Sequence, residues 1–177
     1  MKHNREFEIA WQGLKPGPTI CVYELGDQFM EQHGAGEGMK DWAVKVTMTF
    51  DKHEDFFLLK FDIDGKVTVA CDRCGDDFDL KLWDEFSLLV KLIGDTEPNI
   101  EEEDDVIFVH KHETVLDVSE WLYEYIMLSL PIRKMHPETP EGESSCNPVA
   151  LKLLSQMADN GDAARSTLWK GLDKLKN

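Results

Sequence analysis

Apolar residues occupy every second position through much of the first half of this chain. Val44, Val46, Met48 and Phe50 form one run, Phe57, Leu59, Phe61 and Ile63 a second, and Val67, Val69 and Cys71 a third. A period of two puts successive side chains on opposite faces of a strand, so each run predicts a strand with one buried face. The polar stretch Asp51 to Asp55 fits a hairpin loop. Asp64-Gly65 reads as a two-residue turn, because that pair accepts the positive φ such turns need. Past Cys74 the alternation resumes at Phe78, Leu80 and Leu82. Phe86, Leu88 and Val90 continue it after what reads as a one-residue slip at Trp83, the mark of a bulge. Upstream, Phe7, Ile9 and Trp11 predict a first strand and Thr19 to Leu25 a second, with Ile20, Val22 and Leu25 buried and Cys21 facing away. Asp27 to Gln32 predicts a helical turn, and Gly34, Gly36 and Gly38 mark a loop.

The second half changes period. After a short strand at Val106 to Val109, Thr114 to Leu130 predicts a helix. Val118, Trp121, Leu122, Tyr125 and Ile126 recur there at three- and four-residue spacing. Asp117 and Glu120 fall early, where the helix dipole favours negative charge, and Pro131 stops the helix. Asn147-Pro148 opens a second helix with the stripe Leu151, Leu154 and Met157, ended by Asn160-Gly161. The tail carries Leu168, Trp169, Leu172 and Leu175 beside Arg165, Lys170, Lys174 and Lys176, a short amphipathic basic helix. The fold class is α+β: an antiparallel β-meander with a C-x-x-C knuckle at one corner and C-terminal helices. Residues 1–160 read as a single domain and 161–177 as an appended tail.

Charge narrows the range of partners. The net charge is −16, and seven acidic residues lie between Asp95 and Asp105, a solvated loop or a docking segment for a basic partner. Such a balance opposes non-specific binding to nucleic acid or an anionic membrane and favours a basic protein partner. No apolar leader and no membrane-length apolar stretch is visible, and the four cysteines therefore point to a reducing, cytoplasmic setting.

The chemistry concentrates at Cys71-Asp72-Arg73-Cys74. Two thiols at this spacing suit a metal, a metal-free thiol knuckle or a redox pair. A metal needs further ligands, and His136 and Cys146, with nine residues between them, are the best candidates for a zinc set of three cysteines and one histidine. The redox reading is weakened because such C-x-x-C pairs usually open a helix in a βαβ unit, and this one follows a strand. Arg133, Lys134 and His136 make a compact basic spot. Signatures of hydrolases, metalloproteases, P-loops and dinucleotide binding are absent, and Gly34–Gly38 lacks the Lys and Ser/Thr of a phosphate loop. His33, His53, His110 and His112 have no partner spacing that marks a dyad. No small-molecule substrate is evident.

Gly65-Lys-Val-Thr-Val-Ala-Cys-Asp-Arg-Cys74, Leu116-Asp-Val-Ser-Glu-Trp-Leu-Tyr-Glu-Tyr-Ile-Met-Leu-Ser-Leu-Pro131 and Ile132-Arg-Lys-Met-His-Pro137 before Cys146-Asn-Pro148 occur in that order. This order resembles the YceD family, the large ribosomal RNA subunit accumulation proteins, from about Val44 onward. The tail Arg165 to Leu175 is similar to the version in Bacteroidetes-type bacteria. The resemblance implies a non-enzymatic role in accumulating large-subunit (23S) ribosomal RNA and building the large ribosomal subunit. The partner would be a ribosomal RNA precursor or a basic ribosomal or assembly protein. It matches Cys71, Arg73 and Cys74 to the family's cysteine motif and Cys146 to its distal cysteine. This chain lacks the richer C-terminal cysteine cluster of many relatives, and His136 stands where a thiol is missing. Arg73, Arg133 and Lys134 are the expected contacts to RNA or partner. The competing readings are a zinc-stabilised adaptor and a thiol redox protein using Cys71 and Cys74.

Overall fold

The alternating runs become three long strands: β3 (Met39–Lys52), β4 (Phe56–Ala70) and β5 (Asp77–Ile93). With β2 (Gly17–Gly26) and β6 (Val106–His110) they form one sheet in the order β2-β3-β4-β5-β6. β2 runs antiparallel to β3, and β3 to β4. β6 instead lies parallel to β5, pairing Leu89 with Val106 and Ile93 with His110. The expected meander therefore ends in a crossover. A parallel partner needs the chain to cross back before it pairs, and the residues of so short a strand carry no record of its direction. The acidic stretch 95–105 lies outside the described residues, as do the expected helix stop at Asn160-Gly161 and the tail.

The computed structural model describes residues 5–36, 38–94, 106–140 and 142–157. They divide into two units: Met1–Val69 with Asp79–Ile132, and Ala70–Phe78 with Arg133–Asn177. In the first unit, one face of the sheet is predominantly apolar. Val46, Met48, Phe50, Phe57, Leu59, Phe61, Val67, Val69, Leu82 and Val90 are all but inaccessible. Helix α2 (Ser119–Leu128) covers this face with Leu122 and Ile126, and Tyr125 meets Phe61 and Phe86 at 4.8 and 4.7 Å between ring centres. The N-terminal segment adds Phe7, Ile9 and Trp11. All three are buried as the alternation predicts, but Phe7 and Trp11 sit in 3-10 turns on either side of a two-residue strand β1 (Glu8–Ile9), which holds Ile9 and pairs with β7 (Leu116–Asp117). Lys52 Nζ donates to the carbonyls of Trp11 and Leu14, both at 2.8 Å, and pins this segment. Helix α1 (Asp27–Gln32) buries Phe29 and Met30. The expected helix from Thr114 starts later, at Ser119, because Leu116–Asp117 are taken into β7.

Three details correct the sequence reading. Asp64-Gly65 is no turn: β4 runs straight through it, with Ile63 and Val67 buried on the same face. Gly65 is needed there for another reason. A β-bulge in β3 between Lys40 and Ala43, with Asp41 at φ 55°, pushes the backbone so close that a Cβ on Gly65 would lie 2.5 Å from the Ala43 carbonyl oxygen. Nor is there a slip at Trp83. Leu82, Phe86, Leu88 and Val90 keep one parity in an unbroken β5, Asp84 takes an inward place among them, and Trp83 points out, 75% exposed. On β2 the buried residues are Tyr23 and Leu25, whereas Ile20 and Val22 are 68% and 53% exposed. Leu25 differs in parity from Ile20 and Val22, so the three could not share a face.

Gly65→Ala should cost about 1–3 kcal/mol, because the added methyl overpacks against backbone. Gly13→Ala, where nothing lies within 4 Å, should change stability little. Denaturant midpoints of the two variants check this.

Candidate metal centre

The second unit is built around the cysteine knuckle. β4 ends at Ala70, and the chain turns at once: Gly75 N–H donates to the Cys71 carbonyl at 2.9 Å, and Cys71 N–H to the Asp76 carbonyl at 2.9 Å. Gly75 sits at φ +78°, a left-handed conformation that glycine adopts without a steric penalty. The closed turn holds the Cys71 and Cys74 side chains on one side.

The distal ligands come from a second closed loop. Glu138 and Ser144 form a β-bridge. Thr139 N–H donates to Glu143 O at 2.8 Å, Gly142 N–H donates to Thr139 O at 2.8 Å, and Ser145 Oγ donates to the Pro137 carbonyl. This small hairpin draws together its two ends, which carry His136 and Cys146. That is how nine intervening residues, which match no standard ligand spacing, still deliver a pair. Asp72 ties the two loops. Its N–H donates to the Lys134 carbonyl at 2.7 Å, and its Oδ2 accepts from Lys134 N–H at 2.7 Å. Asn147 Nδ2 donates to Asp76 Oδ2 at 3.0 Å, while Asn147 Oδ1 caps the helix over 148–157 by accepting from Val149 N–H at 2.9 Å. The Phe78 ring lies 4.6 Å from that of His136.

The four ligand atoms of Cys71, Cys74, His136 and Cys146 all lie within 4.8 Å of one another. Cys71 Sγ stands 3.7 Å from Cys146 Sγ, and Cys74 Sγ 3.5 Å from His136 Nδ1. Tetrahedral zinc, with Zn–S near 2.3 Å and Zn–N near 2.0–2.1 Å, sets sulfurs about 3.8 Å apart and sulfur from nitrogen about 3.6 Å apart. The two separations fit these edges, and the cluster is close enough to hold a metal ion. Cys71 and Cys146 are buried, Cys74 and His136 half-buried.

The electrostatics favour a thiolate at one corner. Burial acts to raise the Cys71 thiol. Against it, the N–H groups of Cys74, Arg73 and His136, joined by the His136 ring, lower it from its ordinary 9.0 to about 6. Ser144 acts to lower the Cys146 thiol, but burial and the neighbouring Cys71 and Cys74 outweigh it and leave it raised. Sulfurs packed this closely cannot all be anionic at low cost unless a cation stands among them.

All seven expected site residues fall in this unit. Arg73 and Arg133 are exposed and Lys134 is half-buried, and none of them holds an ion pair among the described residues. Through the Asp72–Lys134 bonds the cationic segment at 133–134 sits beside the knuckle that bears Arg73. The sequence reading missed Asp72, Gly75, Ser144 and the second role of Asn147. An aspartate directly after the first cysteine and a glycine directly after the second were the available signals.

A family model described as "Large ribosomal RNA subunit accumulation protein YceD" matches residues 59–176. The chain belongs to the YceD family. The match spans both parts of the ligand set and begins inside β4, later than the resemblance from Val44 implied, so β1, β2 and β3 lie outside it. No curated protein and no solved structure matches the chain. Among the described residues no helix is long and apolar enough to cross a membrane.

In metal-free protein, the ultraviolet absorbance of thiolate should show one group forming with a midpoint near pH 6, and Cys71→Ser should remove it. Because the folded value lies below the ordinary 9.0, the ionised thiol stabilises this unit fully above pH 9.0. That contribution is lost as pH falls toward and through about 6. Denaturation of the metal-free wild type and of Cys71→Ser at several pH values checks the sign.

Proposed function

We propose that this protein is a non-enzymatic factor that promotes accumulation of large-subunit (23S) ribosomal RNA and biogenesis of the large ribosomal subunit. The observation that carries the reading is the YceD family match over residues 59–176. It acts by binding in the cytoplasm, and its second unit is stabilised by zinc held by Cys71, Cys74, His136 and Cys146. Four protein ligands leave no open coordination position, so zinc bound there supplies folding energy and not catalysis.

The partner is a ribosomal RNA precursor or a basic ribosomal or assembly protein, and Arg73, Arg133 and Lys134 form the contact to it. The net charge of −16 repels wide contact with a phosphate backbone. It therefore favours a basic protein for most of the surface and restricts RNA contact to this local cationic spot. A thiol redox role is the second reading. The depressed Cys71 thiol favours it, since thiolate character governs reactivity.

Cells depleted of the protein should show a lower ratio of large- to small-subunit ribosomal RNA, restored by the wild-type gene. A Cys71→Ser/Cys74→Ser copy should not restore it. An unchanged ratio on depletion would remove the ribosomal reading.

Purified protein should carry one zinc per chain and lose thermal stability on chelation. Arg73→Ala/Arg133→Ala/Lys134→Ala should keep the zinc but co-sediment more weakly with large-subunit precursors. A reversible intramolecular disulfide in the absence of bound metal would speak for the redox reading instead.

A further inference from the structure

β2 is the outer strand of the five-stranded sheet, ten residues long, with β3 on one side and no strand on the other among the described residues. Proteins ordinarily blunt such an edge with charge, a bulge, proline or brevity, because an open row of N–H and C=O groups recruits another strand. β2 uses few of these devices. Its pairing with β3 is regular from Gly17 to Gly26, Pro18 stands only at its beginning, and Glu24 is its sole charge. Thr19, Ile20, Cys21, Val22 and Tyr23 are uncharged and rich in β-formers. Ile20 and Val22 point outward, exposed, over Thr49 and Thr47 of β3. The result is a neutral patch on a strongly acidic molecule.

We propose that β2 pairs antiparallel with β2 of a second copy of this chain, continuing the sheet across a twofold axis. The charge distribution selects this occupant. Two copies at −16 repel each other over most of their surfaces, and a basic segment or RNA gains nothing from an uncharged edge. A neutral surface that complements itself is what such molecules can bring together.

Symmetry then fixes the register. A twofold axis perpendicular to the sheet keeps outer faces outward, so opposed residues must share parity. Centred on Cys21, Ile20 meets the partner's Val22 and Thr19 meets the partner's Tyr23, while Glu24 stands opposite the partner's Pro18 at the frayed end. Moving the axis to Val22 sets Glu24 against the partner's Ile20, and moving it to Ile20 sets Val22 against the partner's Pro18, which has no N–H to give. The Cys21 centre keeps every aliphatic contact and no like-charge contact. It also brings two Cys21 Cβ atoms to about 4.5–5.5 Å, the spacing of directly opposed residues.

Sedimentation equilibrium on the full zinc-loaded chain, from low micromolar to submillimolar concentration, tests this. The expected result is a rise from 20.3 kDa toward twice that mass. Ile20→Lys/Val22→Lys places like charges opposite each other and should hold the protein at the monomer mass with unchanged circular dichroism. A short bis-maleimide should crosslink the wild type into dimer through Cys21 and fail on Cys21→Ser. A monomer at every concentration overturns the proposal, as does a dimer indifferent to the lysine pair or one not crosslinked at Cys21. A monomer whose β2 captures an unrelated extended peptide overturns it too.

Discussion

Side chains change sides at every residue of a strand, and that constraint carries the first unit. β3, β4 and β5 are long, so one slip in phase would turn a whole row of Phe, Met and Val from core to solvent. From Trp42 onward none occurs: even positions of β3 and β5 and odd positions of β4 face inward, and β3 changes phase at the bulge before Trp42, where Met39 pairs with Val69. The bulge in β3 lies just before Ala43 and Val44, and Gly65, the partner of Val44, meets their closely approaching backbone with no side chain. Each large apolar group removed from water is worth about 1.5–3 kcal/mol, so a shared phase over three strands outweighs local exceptions such as the inward Asp84.

The same arithmetic explains what could be read from the residues. The runs at Val44–Phe50, Phe57–Ile63 and Val67–Cys71 gave both the strands and the buried face. Strict attention to parity would have joined the last two, since Ile63 and Val67 agree across Gly65. It would also have removed the supposed slip, since Leu82 and Phe86 agree across Trp83. Asp-Gly misled because glycine serves either a turn or a close backbone approach, and the sequence does not say which. The parallel setting of β6 depends on a crossover, a long-range choice with no local signature. At the candidate metal centre all four clustered residues were legible by residue type. Their convergence was not, because it rests on backbone bonds: the Cys71 turn, the Glu138–Ser144 bridge and the Asp72–Lys134 clamp.

Those backbone bonds also set the chemistry. N–H groups aimed at Cys71 prepare an anion, while packing against Cys71 and Cys74 holds Cys146 back from ionising. An array with one sulfur poised and one resisting opposes full ionisation by its own charge, and a divalent cation bound there would relieve that opposition. Arg73, Arg133 and Lys134 share this framework, so the same bonds that order the ligands order the cationic surface beside them.

The ligand set is drawn from two stretches of chain, 62 and 75 residues apart at the His136–Cys74 and Cys146–Cys71 contacts. Synthesis runs from one end of the chain to the other. Cys71 and Cys74 are therefore made long before their counterparts and wait as half a site while the rest of the sheet and α2 are added. Only when Cys146 has been joined to the chain can a tetrahedral ion be enclosed. Any ion held by all four groups would thus be captured late in the life of each molecule, and an interrupted translation product that stops short of Cys146 carries an open pair of thiols in place of the four-residue cluster.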